Sequence, residues 1–217
     1  MPEEGEPEGE ALRLSPTART EAFSDGVFAI AITLLVLEVH VPTGTGVLAA
    51  LLHAWPNYLS YLATFLTVGV IWLNHHGVFA KIRHIDRVLQ WWNLLLLLFV
   101  SFTPFPNALL SEYLEAKGGL LSADARVAAA VYALVFAAAT IPWLGIWLHV
   151  AKHPELLEPG WTAGYAKQEV KRSAVGIVVY TVGIAVAGAL PLLAIVLFAL
   201  AAVFYAATSG GSRSRRG

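Results

Sequence analysis

The sequence predicts an all-α integral membrane protein, because it is strongly apolar and its apolar runs have membrane-spanning length. Hydrophobic residues make up 57% of the 217 positions, charged residues make up 13%, and the mean hydropathy is +0.65. Soluble domains are less apolar and more highly charged. A helix rises about 1.5 Å per residue, so crossing about 30 Å of hydrocarbon takes roughly 17 to 25 apolar residues. Little sequence is left outside such runs, and we therefore expect one membrane domain.

Six transmembrane helices can be placed along the chain. The predicted spans cover about 24–41, 56–79, 88–110, 125–150, 170–190 and 191–208. The first ends at Pro42 and the Gly-containing segment after it, and only a tight turn near Gly188 and Pro191 separates the last two. Proline inside a membrane helix is tolerated as a kink, so we expect a bend near Pro104 in the third span and another near Pro142 in the fourth.

The basic residues predict the orientation and the domain limits. Short cytoplasmic loops are rich in Lys and Arg, and such residues cluster after the second span, after the fourth span and in the tail: Lys81, Arg83, Arg87, Lys152, Lys167, Lys171, Arg172, Arg213, Arg215 and Arg216. We therefore expect a multi-pass protein of the cell membrane with both termini cytoplasmic. The predicted parts are a disordered acidic tail (1–18), the six-helix membrane domain (19–208) and a basic tail (209–217).

Composition and motifs argue against several function classes. The chain has no cysteine, which removes thiol nucleophiles and thiolate metal sites, and it has no HExxH or GxGD motif, so we expect no enzyme, cofactor or metal centre. The net charge of -1 indicates no nucleic-acid partner. His149 and His153 have a spacing that a metal pair can use, but interfacial histidines are the simpler interpretation. Segments 67–70 and 181–184 are similar to a TVGYG filter, yet both fall in the middle of predicted helices.

The start of the first span leaves two questions open. Asp25 lies at the start of an apolar run, where a carboxylate either caps a helix N-terminus or joins a functional polar network. The residues alone divide these interpretations evenly. Helical spacing puts Ile30, Thr33, Leu34 and Leu37 on one face. Periodicity does not choose this face over a second one formed by Phe28, Ile32 and Leu35.

Two segments resemble a known family. The pattern at Arg19, Phe23, Ser24 and Asp25, followed by FAIAITLLVLE, resembles the signature of the transmembrane-protein-175 family of potassium channels, in its short prokaryotic form. A second region is similar to that family's next motif; it consists of IWLNHHGVF (71–79), Asp86, Asn93 and SFTPFP (101–106). The motifs cover about 20–106, and the rest of the chain agrees in number of spans and topology.

The resemblance implies a homotetramer of six-helix subunits in membrane lipid, with potassium ions passing through a pore lined by the four first helices. It assigns the narrow constriction to Ile30 and further apolar layers to Leu34 and Leu37. It assigns potassium preference to Thr33. The family's polar network, which fixes the first helix against its neighbours, corresponds to Arg19, Ser24, Asp25, Trp72 and His75.

Two other functions are also compatible with the residues. One is a secondary transporter or proton-coupled carrier that uses Asp25 and His75. The other is a membrane scaffold whose polar residues only hold helices together. A carrier needs ionisable groups near the middle of the membrane, whereas the polar side chain near the middle of the first helix is the neutral Thr33, and this favours a channel.

Overall fold

The computed structural model describes residues 16–41, 46–115, 121–193, 195–197 and 200, and these are almost entirely helical. Within these described residues there are eight α-helices: α1 (Pro16–Leu34), α2 (Val47–His53), α3 (Trp55–Phe79), α4 (Arg87–Phe102), α5 (Pro104–Glu115), α6 (Ala123–Ala138), α7 (Thr140–Lys152) and α8 (Ala163–Ala189). Short 3-10 segments extend α1 over Leu35–Glu38 and follow α7 at Pro154–Leu156. The predicted all-α fold is confirmed.

Five segments of the described chain are long and apolar enough to cross a membrane. They are Thr17–Glu38, Trp55–Phe79, Arg87–Leu114, Ala123–Lys152 and Ala163–Ala189, and they correspond to the first five predicted spans. The sixth predicted span, 191–208, lies largely outside the described residues, as do nearly all of the acidic tail and the whole basic tail. The first helix begins at Pro16, about two turns before the predicted start at Ser24, and the short helix α2 was not predicted.

Proline explains why two of the spans are each built from two helices. The third span is interrupted at Thr103, directly before Pro104, which has no N–H to continue the helical hydrogen bonds. The Val100 carbonyl, which would accept from that N–H, instead accepts from the Thr103 hydroxyl at 2.8 Å. The fourth span is interrupted at Ala139, and Pro142 falls in the first turn of α7, where a missing N–H costs little. At both positions where a bend was predicted, the helix is interrupted.

Helices α4, α6 and α8 begin at side chains that accept hydrogen bonds from the first turn. Asp86 accepts from the Leu89 N–H at 2.8 Å, and Ser122 accepts from the Ala125 N–H at 3.1 Å. Such N-caps satisfy backbone donors that have no partner within the helix.

The described helices form one bundle with a continuous core. Helix α1 packs against α3 and α4, while α8 packs against α6 and α7. Buried residues shared by these contacts include Phe28, Val68, Leu96, Tyr132 and Phe136. Helices α4 and α7 approach so closely that a Cβ on Gly145 would overlap the ring of Trp92. This close approach explains the glycine at that position.

At one end of the bundle the α3–α4 and α7–α8 connections are joined by backbone hydrogen bonds. Arg83 N–H donates to the carbonyl of Leu156 at 2.8 Å, and Glu158 N–H donates to the carbonyl of Lys81 at 2.8 Å. The Thr17 hydroxyl, in the first turn of α1, donates to the carbonyl of Arg83 at 2.9 Å. The start of α1 therefore lies at the same end as the two basic connections.

Candidate functional site

One face of α1 is fully packed inside the subunit. Ser24, Phe28, Ala31 and Leu35 have exposed fractions of 0%, 1%, 1% and 0%. Their spacing of four, three and four residues follows a single helical face. Helices α3 and α4 cover the part of this face on α1, and α3 and α5 pack against the 3-10 extension that contains Leu35.

The other face of α1 is open. Ile30, Leu34 and Leu37 are 60%, 42% and 72% exposed, and Thr33 between them is exposed as well. These are the four residues on the stripe that the resemblance assigned to the pore. The second face, formed by Phe28, Ile32 and Leu35, cannot line a pore, because Phe28 and Leu35 are buried in the core of the subunit.

Thr33 is bonded back to its own helix. Its Oγ1 lies 2.9 Å from the carbonyl oxygens of both Ala29 and Ile30. A threonine hydroxyl in this position donates its proton to the preceding turn and keeps oxygen lone pairs directed away from the helix. Thr33 can thus offer an acceptor oxygen on the open face without leaving a donor unpaired.

The packed face of α1 is held by a directional chain of hydrogen bonds. Asn93 Oδ1 lies 2.9 Å from His75 Nε2, and Asn93 Nδ2 lies 3.0 Å from Ser24 Oγ. Because an amide oxygen only accepts, the His75 Nε2 carries the proton and donates. Asn93 Nδ2 then donates to Ser24, which donates in turn to the carbonyl of Thr20 at 2.8 Å. The chain links α3, α4 and the backbone of α1, and its three side chains are buried.

The ring of His75 is enclosed by aromatic side chains. It stacks on Phe79 at 4.1 Å between centroids, and Phe28 and Trp143 approach it at 5.4 and 6.3 Å. With one ring nitrogen bonded to Asn93 and aromatic rings on several sides, His75 is arranged as a fixed structural group. This surrounding also connects the packed face of α1 to helix α7 through Trp143.

Asp25 forms a second, more peripheral anchor. The indole N–H of Trp72 donates to Asp25 Oδ1 at 2.8 Å, and both residues are exposed in the subunit. The alternative that Asp25 caps the helix is wrong, because α1 begins at Pro16 and Asp25 lies well inside it. Arg19 is exposed and joins none of these hydrogen bonds in the described part of the chain.

The structure adds Asn93 to the predicted set of anchoring residues. It connects Ser24 with His75, which do not bond each other directly. The signal in the sequence was a carboxamide inside a largely apolar span, since intramembrane polar residues usually have a specific partner. Asn93 belonged to the quoted motif but was not assigned to the network.

A second buried polar network, also missed from the sequence, ties α3 to α5 and α6. The hydroxyls of Ser60 and Ser111 are 2.6 Å apart, and Thr64 Oγ1 lies 2.9 Å from both Asn107 Oδ1 and the Tyr132 hydroxyl. Hydrogen bonds between small polar side chains commonly hold membrane helices together. This network lies within the subunit core and away from the open face of α1.

The paired histidines are each bonded to a carboxylate. His149 Nε2 lies 2.6 Å from Asp86 Oδ2, and His153 Nδ1 lies 3.0 Å from Glu155 Oε1. Burial alone would raise the pKa of Asp86, but hydrogen bonds from the Leu89 N–H and from His149 outweigh it and hold that pKa below its usual value. The described residues contain no group of three His, Cys, Asp or Glu side chains arranged to hold a metal ion.

The segments similar to a potassium filter are helical. Residues 67–70 lie within α3 and residues 181–184 within α8. A carbonyl-lined filter needs an extended backbone whose carbonyls are not used by a helix. Neither segment can serve as such a filter in this conformation.

Comparison with a library of protein families gives a match to residues 19–104, and the matching family is described as "Endosomal/lysosomal potassium channel TMEM175". The matched range contains α1, α3 and α4. It therefore includes the open face of α1 and the whole hydrogen-bond chain that anchors the packed face.

Two characterised bacterial proteins are similar over most of their length. A potassium channel of Chamaesiphon minutus is 48% identical over 153 residues, covering 68% of this chain and 72% of that protein. A potassium channel of Streptomyces collinus is 42% identical over 178 residues, covering 79% and 84%. The crystal structure of a homologue, from Chamaesiphon minutus, of the lysosomal potassium-selective channel TMEM175 superposes with a TM-score of 0.77 at 39% identity. It covers 89% of this chain and 97% of that one.

Proposed function

The chain belongs to the TMEM175 family, and from that premise we propose that it forms a potassium-permeable channel whose pore is lined by the open face of α1. The family is one of membrane channels, so the chain is a multi-pass membrane protein and not an enzyme. The proposal of channel activity is supported by the bacterial relatives, which are named potassium channels.

The observation that carries the pore assignment is the contrast between the two faces of α1. Ile30, Leu34 and Leu37 remain exposed in the subunit although the opposite face is fully buried. Four copies arranged around an axis would bring these side chains together in successive rings. The proposal therefore includes a homotetramer, with Ile30 as the narrow constriction.

The proposed rings have a physical basis for gating. A ring of four branched apolar side chains can exclude water from a narrow pore, and small rotations of the helices would allow water and ions to return. A neighbouring ring of Thr33 oxygens would offer acceptors to an ion that has lost part of its hydration shell. Because few ligands replace that shell, we expect modest selectivity for potassium over sodium.

The fold supports cytoplasmic termini and lipid contact elsewhere. The Thr17 hydroxyl bonds to the carbonyl of Arg83, which places the start of α1 beside the basic α3–α4 connection. By the positive-inside rule this end of the bundle faces the cytoplasm. Apolar side chains exposed on α8, such as Val178 and Val182, are suited to contact lipid.

Reversal-potential measurements on purified protein in lipid vesicles or bilayers test the function. Under opposing potassium and sodium gradients we expect a passive current that reverses close to the potassium equilibrium potential. Saturable flux that requires a coupled proton gradient would favour the carrier that uses Asp25 and His75. Well-folded tetramers without current would contradict the channel and favour a scaffold.

A further inference from the structure

A pocket of about 130 Å³ that is partly open to its surroundings lies between α3, the α6–α7 break and α8; we refer to it as the cavity. Its aromatic lining comes from Phe136, Trp143 and Trp147, and aliphatic side chains of α3 complete the apolar wall. An apolar cavity of about 150 Å³ can hold a benzene molecule. The space is therefore of the right size and character for a single small aromatic ring.

Two polar side chains in the cavity lining have unused hydrogen-bonding capacity. Asn74 and Ser173 line the cavity, and neither side chain has a hydrogen bond within the described residues. The two threonines of the lining differ, because Thr67 donates to Ala63 and Thr140 donates to Ala137. A ligand in the cavity would thus meet one amide and one hydroxyl that are ready to bond.

The charges in the lining favour a neutral ligand. Glu169 Oε1 lies 3.8 Å from Arg172 Nη1, so the carboxylate and the guanidinium compensate each other. A charged ligand would have to compete with this pair and lose its own hydration. A neutral molecule with one polar substituent matches both the apolar wall and the side chains of Asn74 and Ser173.

We propose that this cavity is a binding site for a small neutral aromatic molecule that carries one hydrogen-bonding group, of the phenol or indole class. The ring lies against Trp143, and the polar group bonds to Asn74 and Ser173. The site is separate from the open face of α1 and from the hydrogen-bond chain that anchors it.

The position of Trp143 couples this site to α1. Trp143 lines the cavity and also meets the ring of His75 edge-on at 6.3 Å. His75 begins the chain of hydrogen bonds that reaches Ser24 on α1 through Asn93. A ligand that restricts Trp143 would therefore affect His75 and the hydrogen-bond chain that holds α1. An effect of ligand binding on current rests on the proposed channel function.

Calorimetric titration of the purified, detergent-solubilised protein with phenol tests the binding step. We expect saturable binding of one molecule per chain. Ala139→Leu adds volume at a buried residue of the lining and is expected to weaken binding at least tenfold. Ala185→Leu adds the same volume on the exposed surface of α8 and is expected to leave binding unchanged. Non-saturable uptake that is equal in all three proteins would overturn the proposal.

Comparison of phenol with toluene tests the polar part of the site and does not depend on the filling variant. Toluene has a similar shape but no hydroxyl, so the wild-type protein should bind phenol more tightly. Asn74→Leu conserves volume and removes the partner, and it should weaken phenol binding about three- to tenfold without weakening toluene binding. Equal affinity for both molecules in the wild type would contradict the assigned roles of Asn74 and Ser173.

Current recordings then test the coupling. Saturating phenol should change the wild-type current and leave the Ala139→Leu current unchanged; an equal change in both would overturn coupling through this cavity. Binding is measured without conduction, so an absence of current would contradict the proposed function and leave the binding result standing.

Discussion

The two faces of α1 have similar apolar chemistry and opposite surroundings. The face at Ser24, Phe28 and Leu35 is buried against α3, α4 and α5, whereas Ile30 and Leu37 on the other face remain mostly exposed among the described residues. A helix with a purely structural role in the subunit would be expected to bury most of its large apolar side chains. The contrast indicates that the open face is reserved for contacts outside the subunit, and we assign those contacts to the pore.

The difference also separates stability from conduction. Substitutions on the packed face should alter the free energy of unfolding, because they remove contacts and hydrogen bonds within the subunit. Substitutions on the open face should alter ion flow with little effect on unfolding. Each of the following experiments can break or refine this division.

The largest effect is expected from truncating Phe28. Phe28→Ala leaves a cavity beside His75 in the core and should lower the free energy of unfolding by about 3 kcal/mol. Ile30→Ala, on the open face of the same helix, should lower the free energy of unfolding by about 1 kcal/mol or less. Unfolding in mixed micelles of increasing SDS content, followed by circular dichroism, measures both. Equal losses for the two variants would abolish the distinction between the faces.

A smaller loss is expected from the buried hydrogen-bond chain. Asn93→Leu keeps the volume but leaves the Ser24 acceptor and the His75 donor without their partner, so the loss should be about 2 kcal/mol. A double-mutant cycle with Ser24→Ala isolates the bond between Asn93 and Ser24. If the two substitutions are fully additive, the direct link between α4 and α1 contributes nothing.

The exposed anchor should contribute less. Trp72→Phe removes the indole N–H that bonds to Asp25, and the expected loss is about 0.5–1 kcal/mol by the same SDS titration. Asp25→Asn retains an acceptor oxygen and should cost less than Trp72→Phe. A larger loss for Asp25→Asn would show that the carboxylate charge has a partner other than Trp72.

Thr33→Ala should have almost no effect on unfolding, because its hydroxyl bonds only within α1. The expected change is a reduced permeability ratio of potassium to sodium, with conduction retained. Reversal potentials under mixed gradients measure this ratio, and Thr33→Ser, which keeps the hydroxyl, is the matched control. An unchanged ratio in Thr33→Ala would remove Thr33 from the ion path.

The sequence was informative where length and composition decide the structure. Spans two to five follow from apolar runs of membrane length, and proline marks the interruptions near residues 103 and 139. The start of α1 was placed too late, because the residues after Pro16 include charges and a criterion based on apolar length excludes them. The helix extends N-terminally beyond the apolar run, and the Thr17 hydroxyl in its first turn bonds to the carbonyl of Arg83 at the end of the bundle.

Side-chain partners depended on packing and could not be read from periodicity. Both stripes of α1 are apolar, so only the positions of α3 and α4 distinguish Phe28 from Ile30. The resemblance favoured the stripe that the structure leaves open, while the roles of Ile30, Thr33, Leu34 and Leu37 in conduction stay predictions. The bond of Asn93 to both Ser24 and His75 joins residues far apart in the chain, which spacing does not reveal.

Cysteine accessibility tests the central assignment most directly, because the chain has no cysteine of its own. Single variants Ile30→Cys and Leu37→Cys should each lose current when a water-soluble, positively charged thiol reagent is added to open channels. Val178→Cys, exposed on α8, should react without loss of current or remain unmodified in lipid. Block at position 178 with none at positions 30 and 37 would contradict a pore lined by the open face of α1.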